Sequence, residues 1–490
     1  DTIYYYKVSA VNSIGEGPKG NESSATPSAP QSPPNTPTQL TATSVSSTQI
    51  NLSWTAPTTG GPPTTYKILR CSGSTVCTPT APEIDTVTAP TVTYNNTSLT
   101  CNNGYTYAVV ASNSGGDSAI SSRAAAALAC PSSTSIVYGD ASSGGSQSSI
   151  IIGADGFPVV VYASTGYRLK ILKCGNTSCS AGNIVRTPSN EAIYHSIAIG
   201  TDNNPVIAYT EAPYPNNYLK VGHCIDASCS NWNVSIVDSG SGDFTGYYPT
   251  ITKSSSGLPM IGYYQQPGQN QNLKFAQCAN NDCSSRTINT VASGNGSGGA
   301  GNGLIKGSNG NPVIAYSANV LGQNKLAVCA DANCSSSTIN TIDTSANFSL
   351  IFNSVAISTD TFPIIAYVEN GGTVLKVAKC TNASCSAKTI TVVDSSGSFN
   401  GTSMAILPST GFPVIAYFDL PSQSLKVLKC GNTNCSSGNT ISFVDGGKVG
   451  VFSSSPYFMA IGTDGFPVIS YLDNVAWKLK IAKCSNGACN

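Results

Sequence analysis

Within residues 131–490, short apolar runs alternate with polar turns in one order that is written seven times. The clearest copy runs Met404-Ala405-Ile406, a turn at Ser409-Thr410-Gly411-Phe412, Pro413-Val414-Ile415-Ala416-Tyr417, then Leu425-Lys426-Val427-Leu428-Lys429-Cys430 and Cys435. Three columns hold in every copy. The proline is Pro158, Pro205, Pro259, Pro312, Pro363, Pro413 and Pro467. The tyrosine is Tyr162, Tyr209, Tyr263, Tyr316, Tyr367, Tyr417 and Tyr471. The cysteines come in pairs: Cys174 and Cys179, Cys224 and Cys229, Cys278 and Cys283, Cys329 and Cys334, Cys380 and Cys385, Cys430 and Cys435, Cys484 and Cys489. Successive first cysteines lie 50, 54, 51, 51, 50 and 54 residues apart. A fixed period of this length decides architecture before any local reading does.

Each copy predicts four short strands. The first is an apolar run such as Ser196-Ile197-Ala198-Ile199. A turn such as Thr463-Asp464-Gly465-Phe466 follows, and Asp-Gly between apolar runs signals a hairpin. Proline opens the second strand, where its missing N–H costs least. The third is the Leu-Lys-Val-x-Lys-Cys run, and the fourth is β-branched, as in Thr389-Ile390-Thr391-Val392-Val393. No segment carries a helical period. Four antiparallel strands per fifty-residue unit match the blade of a β-propeller, and seven units predict a seven-bladed ring. The last copy stops after its cysteine pair and lacks a fourth strand, while an orphan run, Thr134-Ser135-Ile136-Val137-Tyr138-Gly139-Asp140, precedes the first. The expected closure is one-plus-three, with the orphan completing the last blade.

Composition narrows the function. Only 10% of residues are charged and the formal net charge is zero. That excludes the basic surface a nucleic-acid binder needs and a polybasic membrane patch. No run of eighteen apolar residues and no signal peptide occurs, so membrane insertion is not expected. A C-x4-C pair reads either as a hairpin disulfide or as half of a metal site. A zinc site needs four ligands and the chain has 2 histidines, so the disulfide reading is preferred for all seven pairs, with no metal or cofactor. Seven such disulfides imply an oxidising, extracellular setting.

Residues 1–27 contain Ile3-Tyr4-Tyr5-Tyr6-Lys7-Val8-Ser9-Ala10-Val11-Asn12, with Tyr4, Tyr6, Val8 and Ala10 on one face, and a turn at Gly15-Glu16-Gly17-Pro18. This resembles the last two strands of a fibronectin type III domain. Two strands cannot bury a core alone. The other five are expected upstream or from another molecule, which opens self-association through this incomplete domain. Residues 28–36 read as a Pro/Ser linker, extended and semi-rigid. Residues 37–130 resemble a complete fibronectin type III domain, carried by Pro37, Leu40, Trp54 in Asn51-Leu52-Ser53-Trp54, Tyr66, Leu99 and Tyr105-Thr106-Tyr107-Ala108-Val109-Val110-Ala111-Ser112-Asn113. The resemblance implies a β-sandwich with Trp54 in its core. The cysteines depart from the family. Cys101 and Cys130, at the ends of neighbouring antiparallel strands, are expected to pair, leaving Cys71 and Cys77 to close a hairpin.

Residues 131–490 form the expected ring. Its repeat resembles units of uncharacterised secreted bacterial proteins and lacks the sialidase box, the WD dipeptide and a calcium-loading D-x-D-x-D-G. The resemblance therefore implies architecture, not activity. Blade geometry sorts the loops onto two faces, and the face with irregular, aromatic loops is the expected ligand face. Its candidates are Tyr167, Tyr214, Tyr218, Phe244, Tyr247, Tyr248, Tyr264, Gln265, Phe348, Phe452, Tyr457 and Trp477. Aromatic platforms flanked by amides suit sugar rings; the plainer reading is that single aromatics fill gaps between blades. Lys170, Lys220, Lys274, Lys325, Lys376, Lys426 and Lys480 form a further column. Its stems are expected to pack on the next blade with the ammonium groups in water, rather than to form a polyanion site. Glu211, Glu369, Asp419 and Asp473 recur at one repeat position, unlike the facing carboxylates of a glycosidase. His195 and His223 read as structural. The expected function is a secreted or cell-surface, non-enzymatic adhesion protein that recognises a glycan or surface protein. The alternatives are a subunit of an extracellular fibre and a polysaccharide-active enzyme.

Overall fold

A computed structural model describes the chain apart from residues 1, 28–29, 47–48, 73–81, 98, 100–103, 128–133, 139–147, 165, 190–191, 212–216, 241–243, 267–270, 295–302, 319–321, 345–353, 446–457, 474–477 and 490. The described chain is almost wholly β and divides into two units, Asp1–Pro131 and Ser132–Asn490.

In the first unit, Thr38–Ser46, Gln49–Thr55 and Thr93–Asn96 form one sheet. Thr65–Ser72, Glu83–Thr88, Gly104–Asn113, Gly116–Asp117 and Ala124–Ala127 form the other. Strand alternation turns Ile50, Leu52 and Trp54 inward to meet Tyr66, Ile68, Tyr107 and Val109. Trp54 is 4% exposed and stands edge-on to Tyr66, ring centroids 5.2 Å apart. Cys71 is disulfide-bonded, while Cys77, Cys101 and Cys130 lie outside the described residues. Ahead of this sandwich, Tyr4–Tyr6 pairs with Ser23–Ala25, and Val11–Asn12 with Gly15–Glu16.

The second unit holds seven four-stranded antiparallel sheets, numbered here in chain order. Sheet 2, for example, is Ala192–Ile199, Pro205–Glu211, Leu219–Cys224 and Trp232–Asp238. Sheet 7 takes its fourth strand from far upstream: Thr134–Tyr138 pairs with Lys478–Lys483. The second strands are apolar throughout because both faces are covered, and Pro363–Glu369 is buried along its whole length. Seven apolar clusters lie between neighbouring sheets. Six join consecutive sheets; the seventh joins sheet 7 to sheet 1 through Ile150, Val160, Leu172, Val468, Leu479 and Ile481. Ser148 donates its hydroxyl to the Ser470 carbonyl across that same boundary at 3.1 Å.

Among the described residues, four of the sheet junctions also carry a polar lock. The fourth strand ends in a bulge, as where Leu219 faces Asp238 while Lys220 faces Ile236. The extra residue re-aims Asp238. Its carboxylate accepts from Tyr263 Oη at 2.6 Å and Lys274 Nζ at 3.0 Å, both in sheet 3. The same trio recurs as Asp343 with Tyr367 and Lys376, and as Asp445 with Tyr471 and Lys480. Asp394 takes Tyr417 at 2.8 Å, while Lys426 sits closer to Asp419 of its own strand pair, at 2.8 Å. The lysine ammonium groups of sheets 3, 5, 6 and 7 are thus held in ion pairs between or within sheets. The expectation that they reach into water is corrected there, because the bulged aspartate supplies a nearer partner. Glu211 and Glu369 likewise pair with Lys220 and Lys376.

On the opposite side of the unit, all seven cysteine pairs close their hairpins as disulfides, with Cα–Cα separations of 4.7–4.8 Å. Cys174 bonds to Cys179, Cys224 to Cys229, Cys278 to Cys283 and Cys329 to Cys334. Cys380 bonds to Cys385, Cys430 to Cys435 and Cys484 to Cys489. The spacing did not foretell the backbone of the second partner. Cys179, Cys229, Cys283, Cys334, Cys385, Cys435 and Cys489 all lie in the left-handed region, at φ +53 to +58. Only that turn brings the second cysteine back over the first within five residues, and the bond then holds a conformation that a side chain rarely adopts. The N–H of each of these cysteines donates to the carbonyl of an Asn or Asp three residues earlier, as Cys229 to Asp226 at 3.0 Å. The Asn or Asp side chain orders the same loop, as where Asn176 Oδ1 accepts from Ser180 N–H at 2.9 Å. In the neighbouring turn, Asp155 accepts from Phe157 N–H and pairs with Lys173, whose ammonium lies 5.2 Å from the Phe157 ring centroid. Asp360 with Lys379 and Asp464 with Lys483 repeat the pair, and His223 with Asp202 replaces it in sheet 2.

The locks and the staples are testable separately. Asp238→Asn leaves Lys274 without its inter-sheet charge partner, and urea unfolding should show a loss of about 3 kcal/mol. Burial alone would raise the Asp238 pKa, but Tyr263, the Gly240 N–H and Lys274 together hold it below its ordinary value of 3.8. Its stabilisation is therefore present above that value and is lost as pH falls below it. Thermal unfolding of the wild type, but not of Asp238→Asn, should record that part of the acid sensitivity. Replacing Cys278 and Cys283 together by serine should cost about 2 kcal/mol, because each staple closes a short loop. Hydrogen exchange should then quicken in that hairpin and leave the other sheets unchanged.

Candidate functional site

The irregular side of sheets 2 and 3 carries the densest aromatic grouping among the described residues. It is built on the first strand of sheet 3, Phe244–Lys253, whose pairing with Pro259–Gln266 shifts register twice, between Thr245 and Tyr247 and between Tyr247 and Thr250. The two irregularities turn consecutive tyrosines out of strict alternation. Tyr248 has φ +49, a left-handed backbone that is costly for an aromatic residue and is held here by its surroundings. Gly246, at φ +82, lies so near sheet 2 that a Cβ would stand 2.8 Å from the Leu219 backbone nitrogen. Thr210 Oγ1 donates to its carbonyl.

The rings meet closely. Tyr194, from the first strand of sheet 2, lies 4.3 Å from Tyr248 and 5.1 Å from Tyr247 between centroids. Phe244 stands edge-on to Tyr247 at 5.3 Å. The Tyr194 hydroxyl donates to the Tyr248 hydroxyl at 3.4 Å. Asn217 Nδ2 donates to Tyr247 Oη at 2.8 Å. Asn217 is 1% exposed, and its Oδ1 has no hydrogen-bond partner among the described residues. Burial pushes the Tyr248 phenol well above its ordinary range, reinforced by Tyr194, and pushes Tyr264 up to about 12. These hydroxyls therefore stay neutral, able both to donate and to accept.

Of the sequence candidates, the structure brings Phe244, Tyr247 and Tyr248 together, half-buried. Tyr218 is half-buried and follows Asn217; its carbonyl accepts from Glu211 N–H at 3.0 Å. Tyr264 and Gln265 are each 8% exposed. They are corrected from presented to buried, since a second strand is covered on both faces. Their side chains instead brace the site: Gln265 Nε2 donates to Thr245 Oγ1 at 3.3 Å, and Tyr264 Oη to Gln266 Oε1 at 3.1 Å. Tyr167 is exposed in a turn at φ +60, where its carbonyl accepts from Ala192 N–H. Tyr214, Phe348, Phe452, Tyr457 and Trp477 lie outside the described residues. Tyr194 was not among the candidates. The signal was its column: it precedes Ser196 by two residues, as Tyr248 precedes Thr250, and Ser196 and Thr250 hold equivalent positions opposite the second strand. His195, beside it, is buried at 2% exposure. Among the described residues, no three His, Cys, Asp or Glu side chains converge as a metal site would require.

Residues 35–126 match the fibronectin type III domain family. No curated protein matches the chain. Among solved structures, the chain is similar to titin kinase with its flanking domains, at 16% identity over 29% of this chain and 29% of that one, TM-score 0.19. The chain thus spans under a third of that relative's length. It is similar to the FN5 domain of Drosophila Lar at 24% identity, over 20% of this chain and 97% of that one, TM-score 0.16. It is similar to the polysaccharide lyase Uly1 at 12% identity, over 71% of this chain and 91% of that one, TM-score 0.41. A likeness that distant carries nothing about activity. A fibronectin type III domain occupies residues 35–126, in a chain otherwise made of repeated four-stranded, disulfide-stapled sheets.

Proposed function

We propose that the chain is a secreted or cell-surface binding protein that does not turn its ligand over. In this reading the seven sheets are the blades of a β-propeller, the fibronectin type III domain is a spacer, and the ligand is an uncharged glycan. The seventh apolar cluster, between the last sheet and the first, supports the ring. The seven hairpin disulfides support an oxidising, extracellular setting.

One observation carries the site: Asn217 is buried beside the clustered tyrosines with an acceptor left over. A buried acceptor without a partner costs about 1–3 kcal/mol. A ligand hydroxyl that reaches beneath the Tyr247 ring offsets that cost. The apolar face of a sugar packs on the tyrosine rings, and its remaining hydroxyls find neutral phenols that donate or accept. The strained backbone at Tyr248 presets the rings before the ligand arrives. The zero formal net charge favours a neutral ligand over an acidic one.

The test is a glycan array followed by calorimetry on the intact chain. Neutral oligosaccharides should bind. Tyr247→Ala and Asn217→Ala should each weaken binding about tenfold or more, the effect of losing roughly 1.4 kcal/mol. Val392→Ser, on the exposed outer strand of sheet 5, should leave affinity unchanged. Binding of acidic glycans alone, or full affinity in both site variants, would sink the proposal. Release of new reducing ends would instead mark the chain as an enzyme.

A further inference from the structure

Residues 4–25 reproduce the last two long strands of the complete sandwich pair by pair. Tyr4↔Ala25 and Tyr6↔Ser23 recur as Tyr105↔Ala126 and Tyr107↔Ala124. Val11↔Glu16 and Asn12↔Gly15 recur as Ser112↔Asp117 and Asn113↔Gly116. The offset is 101 residues in every pair. Loop hydrogen bonds keep the same offset. Gly17 N–H donates to the Ala10 carbonyl at 2.8 Å, as Ser118 N–H does to Ala111 at 2.8 Å. Gly20 donates to Val8 at 2.8 Å, as Ser121 does to Val109 at 3.0 Å.

The side chains on the inward face are also the same. Tyr4, Tyr6, Val8 and Ala10 stand where Tyr105, Tyr107, Val109 and Ala111 stand. Their surroundings are opposite. Tyr107 and Val109 are fully buried, whereas Tyr6 is 57% and Val8 80% exposed. In the complete domain this face lies on Ile50, Leu52, Trp54 and Tyr66. Its strand edge is paired along Thr65–Ser72, and Asp117 takes Lys67 from that strand at 2.7 Å. Glu16 occupies the Asp117 position, so the hairpin offers an acid where its complement would bring a cation.

We propose that residues 4–25 dock a five-stranded segment built on the pattern of Thr38–Asn96, joined ahead of Tyr4 as those strands are joined ahead of Gly104, and so form the core of a second fibronectin type III sandwich. A second copy of the same hairpin fits less well. It would cover the tyrosines but would bring Glu16 against a like charge and leave both strand edges open. This inference is independent of the ligand proposed above, since it concerns a different face and a different kind of partner.

The test is a chimera in which a copy of residues 37–104, its cysteines changed to serine, is placed directly before Tyr4 of the intact chain. The Val109 and Ala111 amides face their own hairpin, at Ser121 and Ser118, so the amides turned to the docked strand are those of Lys7 and Ser9, at the positions of Ala108 and Val110. Hydrogen exchange there should slow by about a hundredfold or more relative to the parent chain. Tyr6→Lys within the chimera should restore fast exchange. Tyr5→Lys, at the position of Thr106 on the opposite face, should leave exchange slow and show that the added copy still folds. Unchanged exchange in the chimera, with the added copy shown folded by its own slow amides, overturns the proposal. A parent chain that is already dimeric and protected at these amides, and monomeric as Tyr6→Lys, also overturns it by assigning the face to a second copy.

Discussion

A four-stranded sheet of the kind repeated here has two apolar faces, and neither is stable in water. That constraint organises residues 132–490. Each sheet buries one face on the sheet before it and the other on the sheet after it, so the first and last sheets have to find each other. The strand Thr134–Tyr138 does part of this work, since it completes the last sheet across more than three hundred residues of chain. Closing so long a loop costs chain entropy, which the apolar cluster at the junction has to offset. The polar locks follow from the same geometry. An aspartate bulged out of one sheet meets a tyrosine and a lysine of the next, and the buried hydroxyl and ammonium are satisfied by one carboxylate. Apolar burial supplies the attraction; the lock sets how far one sheet slides on the next.

The two sides of the repeated unit have been built to different tolerances. On one side, every hairpin is held by a disulfide, an Asx-type bond and, in most sheets, an acid–base pair across the turn. Nothing there varies much from sheet to sheet. On the other side, the loops differ in length and composition, and sheet 3 departs furthest. Its first strand, Phe244–Lys253, pairs with the second strand through two irregularities, where the first strand of sheet 2 has one. The tyrosine cluster sits at those two irregularities. A rigid repeat with one exaggerated member is a simple way to place a local surface on a stable frame.

Much of this was legible in the sequence. Proline, tyrosine and cysteine columns fix strand starts, a buried position and the hairpin staples. The orphan strand followed from counting strands in the last copy. What escaped has definite physical causes. A period of two says that Tyr264 and Gln265 lie on alternate faces of a strand, but not that both faces are covered. The lysine column looked solvent-facing because its partner aspartates lie in the preceding repeat, after a bulge that shifts the count by one. The left-handed turn at the second cysteine, as at Cys179 or Cys489, leaves no mark in residue type, because the bond rather than a glycine holds it. Tyr194 was missed because aromatic clusters were sought in loops, whereas it sits at the start of a strand. Trp54, by contrast, was read as core because Asn51-Leu52-Ser53-Trp54 alternates cleanly, and it is core.

Among the described residues, the two surfaces that carry the proposals differ in size and in chemistry. The face of residues 4–25 is wide, strongly exposed and backed by an open strand edge. Its apolar positions repeat every second residue, so the surface that covers it has to repeat with the same spacing, as another β-sheet does. The tyrosine cluster of sheets 2 and 3 is the reverse. It is small, half-buried and preset, and among the described residues the Asn217 amide oxygen beside it has no hydrogen-bond partner. A sugar presents several hydroxyls around a narrow apolar face, which suits a small cluster of rings beside a buried acceptor. On the two proposals, the first surface takes a protein segment and the second a small polar ring, and the difference in size and polarity of the two surfaces is what separates them.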